Sequence, residues 1–247
     1  HIPNESIIHF DKEHLVRLQK AFGYTYEEIR TSILPMAQNG SEPIAAMGAD
    51  VPIPPLSEGE GPLFNYFKQL FAQVTNPPFD AIREEIVTDT SVHLGCDGNI
   101  LVEKPENCHV LKIHNPILTN TDMLKIKSMN VPGLKTAVIP ITYYKHTNLA
   151  KAIDHLFFLA DKAYKQGANI LILSDRGVDE YHVAIPSLLA VSALQQHLVS
   201  TKKRTSVSMI LESAEPCEVH HFATLLGYGA CAVSPYLALE TIRDLID

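Results

Sequence analysis

With 247 residues, 46% of them hydrophobic and 19% charged, the chain can bury a substantial core as one large domain or two small ones. Its formal charge of −8, without a basic block, argues against nucleic acid and anionic membrane as partners. No apolar run reaches the roughly 18 residues of a membrane-spanning helix, and nothing at the start reads as a signal peptide. The chain opens on His1 without an initiating methionine, which points to a tag remnant or a piece of a longer protein.

From the amino end, Asp11 to Phe22 reads as a helix with Leu15, Leu18 and Phe22 on one side and Gly23 as its stop. Thr25-Tyr26-Glu27-Glu28 has the capping-box form and opens a helix through Ile29, Ile33 and Leu34 that Pro35 should kink. Residues 40 to 62 hold five prolines and four glycines. Such a segment is either an extended strap over the core or a loop that covers a site or contacts a partner. Leu63, Phe67, Leu70, Phe71 and Val74 then recur at helical spacing, which predicts an aromatic helix packed inward and stopped by Thr75-Asn76-Pro77-Pro78. Asp80 can cap a following helix with Glu84 and Glu85 near its positive end.

Between Ser91 and Asn120 the pattern changes to short strands and turns. Asp97-Gly98 is a hairpin signal flanked by Val92-His93-Leu94 and Ile100-Leu101-Val102. Asn120 or Thr121 can cap a short helix through Leu124. From about residue 136 the texture becomes a regular alternation. Apolar strands are expected at Ala137 to Tyr143, Ile170 to Leu173, Ser206 to Leu211 and Ala230 to Ser234. Between them lie helices from Asn148 to Gly167, Ile185 to Leu198 and Glu218 to Leu226. Near-continuous apolar strands alternating with helices mean a parallel sheet covered by helices. The expected fold is therefore α/β: an incomplete TIM-like (β/α) barrel or an open parallel sheet. A helical and irregular part (1–135) precedes the βα repeats (136–247), the two making one domain.

Parallel α/β folds gather function at the carboxyl ends of their strands. That rule selects Asp175, Arg176, Glu212 and Tyr236 at strand ends, and His182, Glu218, His220 and His221 in the loops beyond them. A carboxylate, a guanidinium and an imidazole on one rim would suit acid–base chemistry or carboxylate binding. A rim ion-pair network and acids favoured at a helix amino end explain the same residues structurally. His220 and His221 are adjacent and face different sides of a helix, so they do not form an i, i+4 metal clamp. Cys96, Cys108, Cys217 and Cys231 match no zinc or iron–sulfur spacing and read as free thiols in a reducing cytoplasm. No dinucleotide, P-loop, zinc-protease or nucleophile-elbow motif is present, and no glycine-rich loop is set to cradle a flavin phosphate. No catalytic, cofactor or metal ligand is assigned, and the rival expectation is a free-standing enzyme or metabolite binder using Asp175, Arg176, Glu212 and His220.

Several stretches resemble the glutamate synthase large chain. They are LQKAFGYTYEEI (Leu18 to Ile29), LPMAQNGSEPIAAMGAD (Leu34 to Asp50), GPLFNYFKQLFAQVTNPPFDAIREE (Gly61 to Glu85), PILTN (Pro116 to Asn120), ILILSDRG (Ile170 to Gly177) and EVHHFATLLGYGACAVSPYLALE (Glu218 to Glu240). The likeness is to that family's central domain, which resembles an incomplete barrel without a flavin of its own. It implies neighbours in the same parent chain, a glutamine amidotransferase domain and an FMN-bearing synthase domain with an iron–sulfur cluster. It also implies a location in the cytoplasm, or in the plastid stroma for a plant-type parent. The family's catalytic, flavin and cluster residues have no matching positions here. Ala45-Ala46, Ala214, Cys217 and Ser234 depart from the family's usual wording.

Overall fold

The computed structural model describes residues 7–44, 61–69, 73 and 78–246. Helix α1 (Lys12–Ala21) starts at Asp11, whose carboxylate accepts the His14 amide, and Gly23 follows it in the left-handed region at φ +77°. Thr25 caps α2 (Tyr26–Glu28) by accepting the Glu28 amide. Pro35 then lacks the amide that a regular helix needs. The chain accommodates it with a π turn over Ile29–Ile33, where the Leu34 amide reaches back to Ile29, before α3 (Leu34–Asn39). Most of the proline- and glycine-rich segment lies outside the described residues.

The aromatic stretch departs from expectation. Leu63–Phe67 is a short 3₁₀ helix, and the fully buried ring is Phe64, whereas Phe67 is 42% exposed. Leu70, Phe71 and Val74 lie outside the described residues. Proline at 62 and the return of Lys68 to extended backbone limit the element to five residues. Three residues per turn do not build the i, i+4, i+7 stripe that the sequence suggests. Helix α4 (Ala81–Val87) follows, with Asp80 accepting the Ile82 amide.

The hairpin also differs from the simple reading. β1 (Val92–Gly95) pairs antiparallel with β2 (Val110–Ile113), not with Ile100–Val102. Gly98 does adopt a positive φ of +66°, but residues 99–102 form an exposed turn held by the Asn107 amide, which donates to the Asn99 and Val102 carbonyls. Gly95 is needed at the end of β1: its φ is +135°, and a Cβ there would stand 3.2 Å from Leu134. α5 (Asn120–Ser128) opens with a reciprocal capping box between Thr119 and Asp122.

The regular alternation forms as expected. β3 (Thr136–Pro140), β5 (Ile170–Ser174), β7 (Ser208–Glu212) and β8 (Ala232–Ser234) make a parallel sheet in that order. Ile117 adds a parallel bridge beyond β8. The predicted strand Ala137 to Tyr143 is split at Ile141. There the chain leaves β5 and, as β4 (Thr142–Tyr144), pairs antiparallel with β6 (His182–Ala184). The connecting helices are α6 (Leu149–Lys165), α7 (Ser187–Ser200) and α8 (Val219–Gly227); α9 (Tyr236–Ile246) was not foreseen. The four strands remain an open sheet, which fits the expected incomplete-barrel or open-sheet class.

Alternate residues of each strand face opposite layers. Leu171, Leu173, Met209 and Leu211 pack with α6, α7, α8 and Phe64. Ile170, Ile172, Ile210 and Ala232 pack instead with Leu94 of the hairpin, Leu118, and Met123 and Ile126 of α5. A third cluster lies over the carboxyl ends of the strands. Leu15, Leu18, Tyr24 and Ile33 from the N-terminal helices meet Ala214, Cys217, Tyr236 and Leu237 there. The helical N-terminal part thus covers the rim on which function was expected.

Candidate functional site

Glu212 ends β7 with its side chain only 2% exposed, and three donors converge on it. Ser174 Oγ donates to Oε2 at 2.7 Å, Arg176 Nε to Oε1 at 2.8 Å, and Lys127 Nζ reaches both oxygens at 2.8 and 2.7 Å. Burial alone would raise this carboxyl, but the Lys127 and Ser174 hydrogen bonds and the Arg176 charge outweigh it and hold it below its ordinary value. The Arg176 guanidinium lies over the Tyr236 ring at 4.0 Å, which fixes its plane.

Asp175, the next residue of the rim, has no such cations bonded to it. It accepts from Ser213 Oγ at 2.5 Å, Tyr236 Oη at 2.7 Å and the Ala214 amide at 3.1 Å. Burial is the dominant influence and pushes Asp175 up to about 6 against these bonds, with the Glu215 carboxylate adding to the rise. Burial beside Asp175 also drives the Tyr236 phenol far above its ordinary value. Asp175, Arg176, Glu212 and Tyr236 therefore form one network, as the strand-end rule anticipated. Both of its carboxylates accept hydrogen bonds from donors within the protein.

The four loop candidates sit elsewhere. Glu218, His220 and His221 gather around Phe64, on which the His221 ring stacks at 4.3 Å. The Cys217 amide donates to His221 Nδ1 at 3.2 Å, so the imidazole carries its proton on Nε2, which faces Glu218 Oε1 at 3.2 Å. That bond is the main reason Glu218 is held below its ordinary value. His220 Nε2 donates to the Phe64 carbonyl at 2.8 Å, which removes it from the rim chemistry considered for it. Cys217 lies 3.8 Å from His221 Nδ1, an arrangement reminiscent of a thiol–imidazole pair. Its Sγ, however, donates to Glu28 at 3.4 Å, and burial together with that carboxylate pushes the thiol far up, the reverse of nucleophile activation. His182 pairs with Asp179 on the exposed β4–β6 ribbon.

Three contributors to the rim escaped the strand-end rule because they come from helices. Lys127 sits in the last turn of α5, where a basic residue is ordinary. Asn120 and Glu240 of α9 meet each other at 3.2 Å, and His9 Nδ1 donates to Glu240 at 2.9 Å. The i, i+3, i+4, i+7 spacing of Asn120, Met123, Leu124 and Lys127 is the signal that places them on one face of α5. Among the described residues no group of three or more His, Cys, Asp or Glu side chains could hold a metal ion. Of the four free cysteines, Cys217 is bonded to Glu28 and Cys231 lies 3.8 Å from Arg204. No described helix is long and apolar enough to cross a membrane.

Open parallel α/β architecture, with a strand-end rim that is covered and internally hydrogen-bonded, defines the class of protein. Residues 17–247 match the family model described as the glutamate synthase central domain, and the chain belongs to that family. It is 47% identical over 233 residues to the glutamate synthase [NADPH] large chain of Bacillus subtilis (strain 168), an alignment covering 94% of this chain and 15% of that protein. It is 42% identical over 231 residues to glutamate synthase [NADH] of Schizosaccharomyces pombe, covering 92% of this chain and 11% of that one. Ferredoxin-dependent glutamate synthase 1, chloroplastic/mitochondrial, of Arabidopsis thaliana is 41% identical over 241 residues, covering 95% and 15%. The chain thus spans only a small fraction of the length of these relatives.

Proposed function

We propose that this chain is the central, non-catalytic domain of a glutamate synthase polypeptide. It links a glutamine amidotransferase domain to an FMN synthase domain and helps enclose the route of ammonia between them. The parent forms glutamate from glutamine and 2-oxoglutarate, with FMN and an iron–sulfur cluster held outside this chain, in the cytoplasm or the plastid stroma. The observation that carries the reading is the rim itself. Where related folds keep a site, Glu212 and Asp175 are saturated by internal donors and the N-terminal helices lie over them. Enclosure suits the role, because free ammonia in water protonates and diffuses away.

The surface supports a linking role. Ile82 and Ile86 of α4 are 83% and 79% exposed one turn apart, with Val87 and Phe79 beside them, an apolar face suited to another domain. Incubated with glutamine, 2-oxoglutarate and a reductant, the 247-residue chain should form no glutamate above a heat-killed control; turnover overturns the reading. In the full-length parent, Ile82→Ser with Ile86→Ser should release more free ammonia per glutamate formed. An unchanged ratio removes α4 from the interdomain contact.

A further inference from the structure

A cavity of about 220 Å³ lies at the rim between α5, the segment Ile7–Phe10 and the Arg176–Glu212 pair. That is below the usual range for drug-sized ligands but ample for several waters or one small metabolite. Its walls are apolar apart from Asn120, Lys127, Arg176, Glu212 and Glu240. Two of these retain unused bonding capacity of opposite kinds. The Asn120 amide is oriented by Glu240, which can only accept, so Nδ2 faces the carboxylate. Oδ1 is left buried with no hydrogen-bond partner. Arg176 uses only Nε on Glu212. Its two terminal nitrogens make no hydrogen bond among the described residues, while stacking on Tyr236 holds the fork in place. Lys127 and Arg176 together also exceed the single charge of Glu212, leaving this end of the cavity positive.

A buried orphan acceptor beside a carboxylate calls for a cationic donor, and a preset guanidinium fork calls for a carboxylate. We propose that the cavity is a binding site for a small free α-amino acid. Its carboxylate lies on the terminal nitrogens of Arg176 with Lys127 behind them, and its ammonium lies on Asn120 Oδ1 with Glu240 beyond. Both groups are used, the carboxylate on the Arg176 fork and the ammonium on the orphan Asn120 oxygen, while Glu240 itself already holds His9 at 2.9 Å and Arg243 at 3.6 Å. The proposal concerns binding, and no chemical step is assigned to the site. It does not depend on the linking role of the chain.

Calorimetric titration of the 247-residue chain with glycine and L-alanine tests this, with sodium acetate and ammonium chloride as half-ligand controls. Saturable binding of an amino acid is expected, weaker by at least about tenfold in Asn120→Ala, which removes the acceptor. Arg176→Lys keeps the charge but loses the fork and should show a similar loss. Leu124→Phe fills the cavity from its apolar wall without touching a rim hydrogen bond. It should abolish binding even if Arg176→Lys proves too unstable to assay. No saturable response to either amino acid, equal binding of acetate or ammonium alone, or undiminished binding by Leu124→Phe overturns the proposal.

Discussion

Asp175 and Glu212 are both buried, yet burial has opposite net results on them. Glu212 has two cations and a hydroxyl as partners, whereas Asp175 has only neutral donors. With a folded value of about 6 against 3.8, Asp175 contributes stability that is fully present below its ordinary range and is lost as pH rises through about 6. Asp175→Asn lacks this titration. Between pH 4 and 7 wild type should therefore lose roughly 2–2.5 kcal/mol relative to the variant, whatever fixed offset the amide introduces. Urea unfolding of both proteins across that range measures the difference, and parallel curves would mean that Asp175 titrates normally. Glu212 has the opposite sign, because its folded value is lowered. Its contribution is present above the unfolded value and is lost as pH falls through the folded one. Glu212→Gln leaves Lys127 and Arg176 facing a neutral amide. It should cost about 2–4 kcal/mol at neutral pH, less than a fully buried pair because both cations are partly in water. A neutral-pH loss below experimental error would show that the two cations find compensation elsewhere.

At the scale of elements, the βα repeats were legible because local and tertiary signals agree. Asn148 caps α6 through the Ala150 amide, and Ile170–Ser174 is buried along its whole length. Elements whose partners lie far away in sequence were not. The Asp97-Gly98 signal marks a real turn, yet β1 pairs with residues 110–113, and the sequence between them gives no register. The rim was half legible: strand ends gave Asp175, Arg176, Glu212 and Tyr236. Lys127, Asn120 and Glu240 arrive from helices whose docking no spacing encodes. The aromatic stretch is the plainest reversal. Phe64→Ala should cost about 3–5 kcal/mol, since the ring stacks on His221 within the main core. Phe67→Ala removes one edge contact with Tyr228 from a partly exposed ring and should cost about 1 kcal/mol. Denaturation midpoints of the two variants decide the point, and equal shifts would restore the inward aromatic helix.

At the scale of the whole molecule, the open sheet raises the question of what replaces a missing half-barrel. The face of the sheet that a closed barrel would turn inward carries Ile170, Ile172, Ile210 and Ala232, all buried by α5, Leu94 and Leu118. The amino ends of the strands are also bound to the hairpin. Ser208 Oγ accepts the Gly95 amide and donates to its carbonyl, each at 3.0 Å, and the Asp97 amide donates to Thr205 at 2.9 Å. The N-terminal helices cover the other end through Tyr24, whose hydroxyl donates to the Ala214 carbonyl at 2.8 Å. Residues before 136 thus pack against the βα part along one sheet face and at both strand ends, and we propose that the two parts make one folding unit. A fragment of residues 136–247 keeps all four parallel strands and their helices but bares the opposite face of the sheet. Exposing four such side chains, at roughly 1.5–3 kcal/mol for each large one, removes an amount comparable to a whole domain's stability of about 5–15 kcal/mol. The fragment should bind a hydrophobic dye, unfold without a cooperative transition and aggregate, whereas the 247-residue chain should melt in one step. A sharp, reversible transition in the fragment would establish the βα part as a domain in its own right.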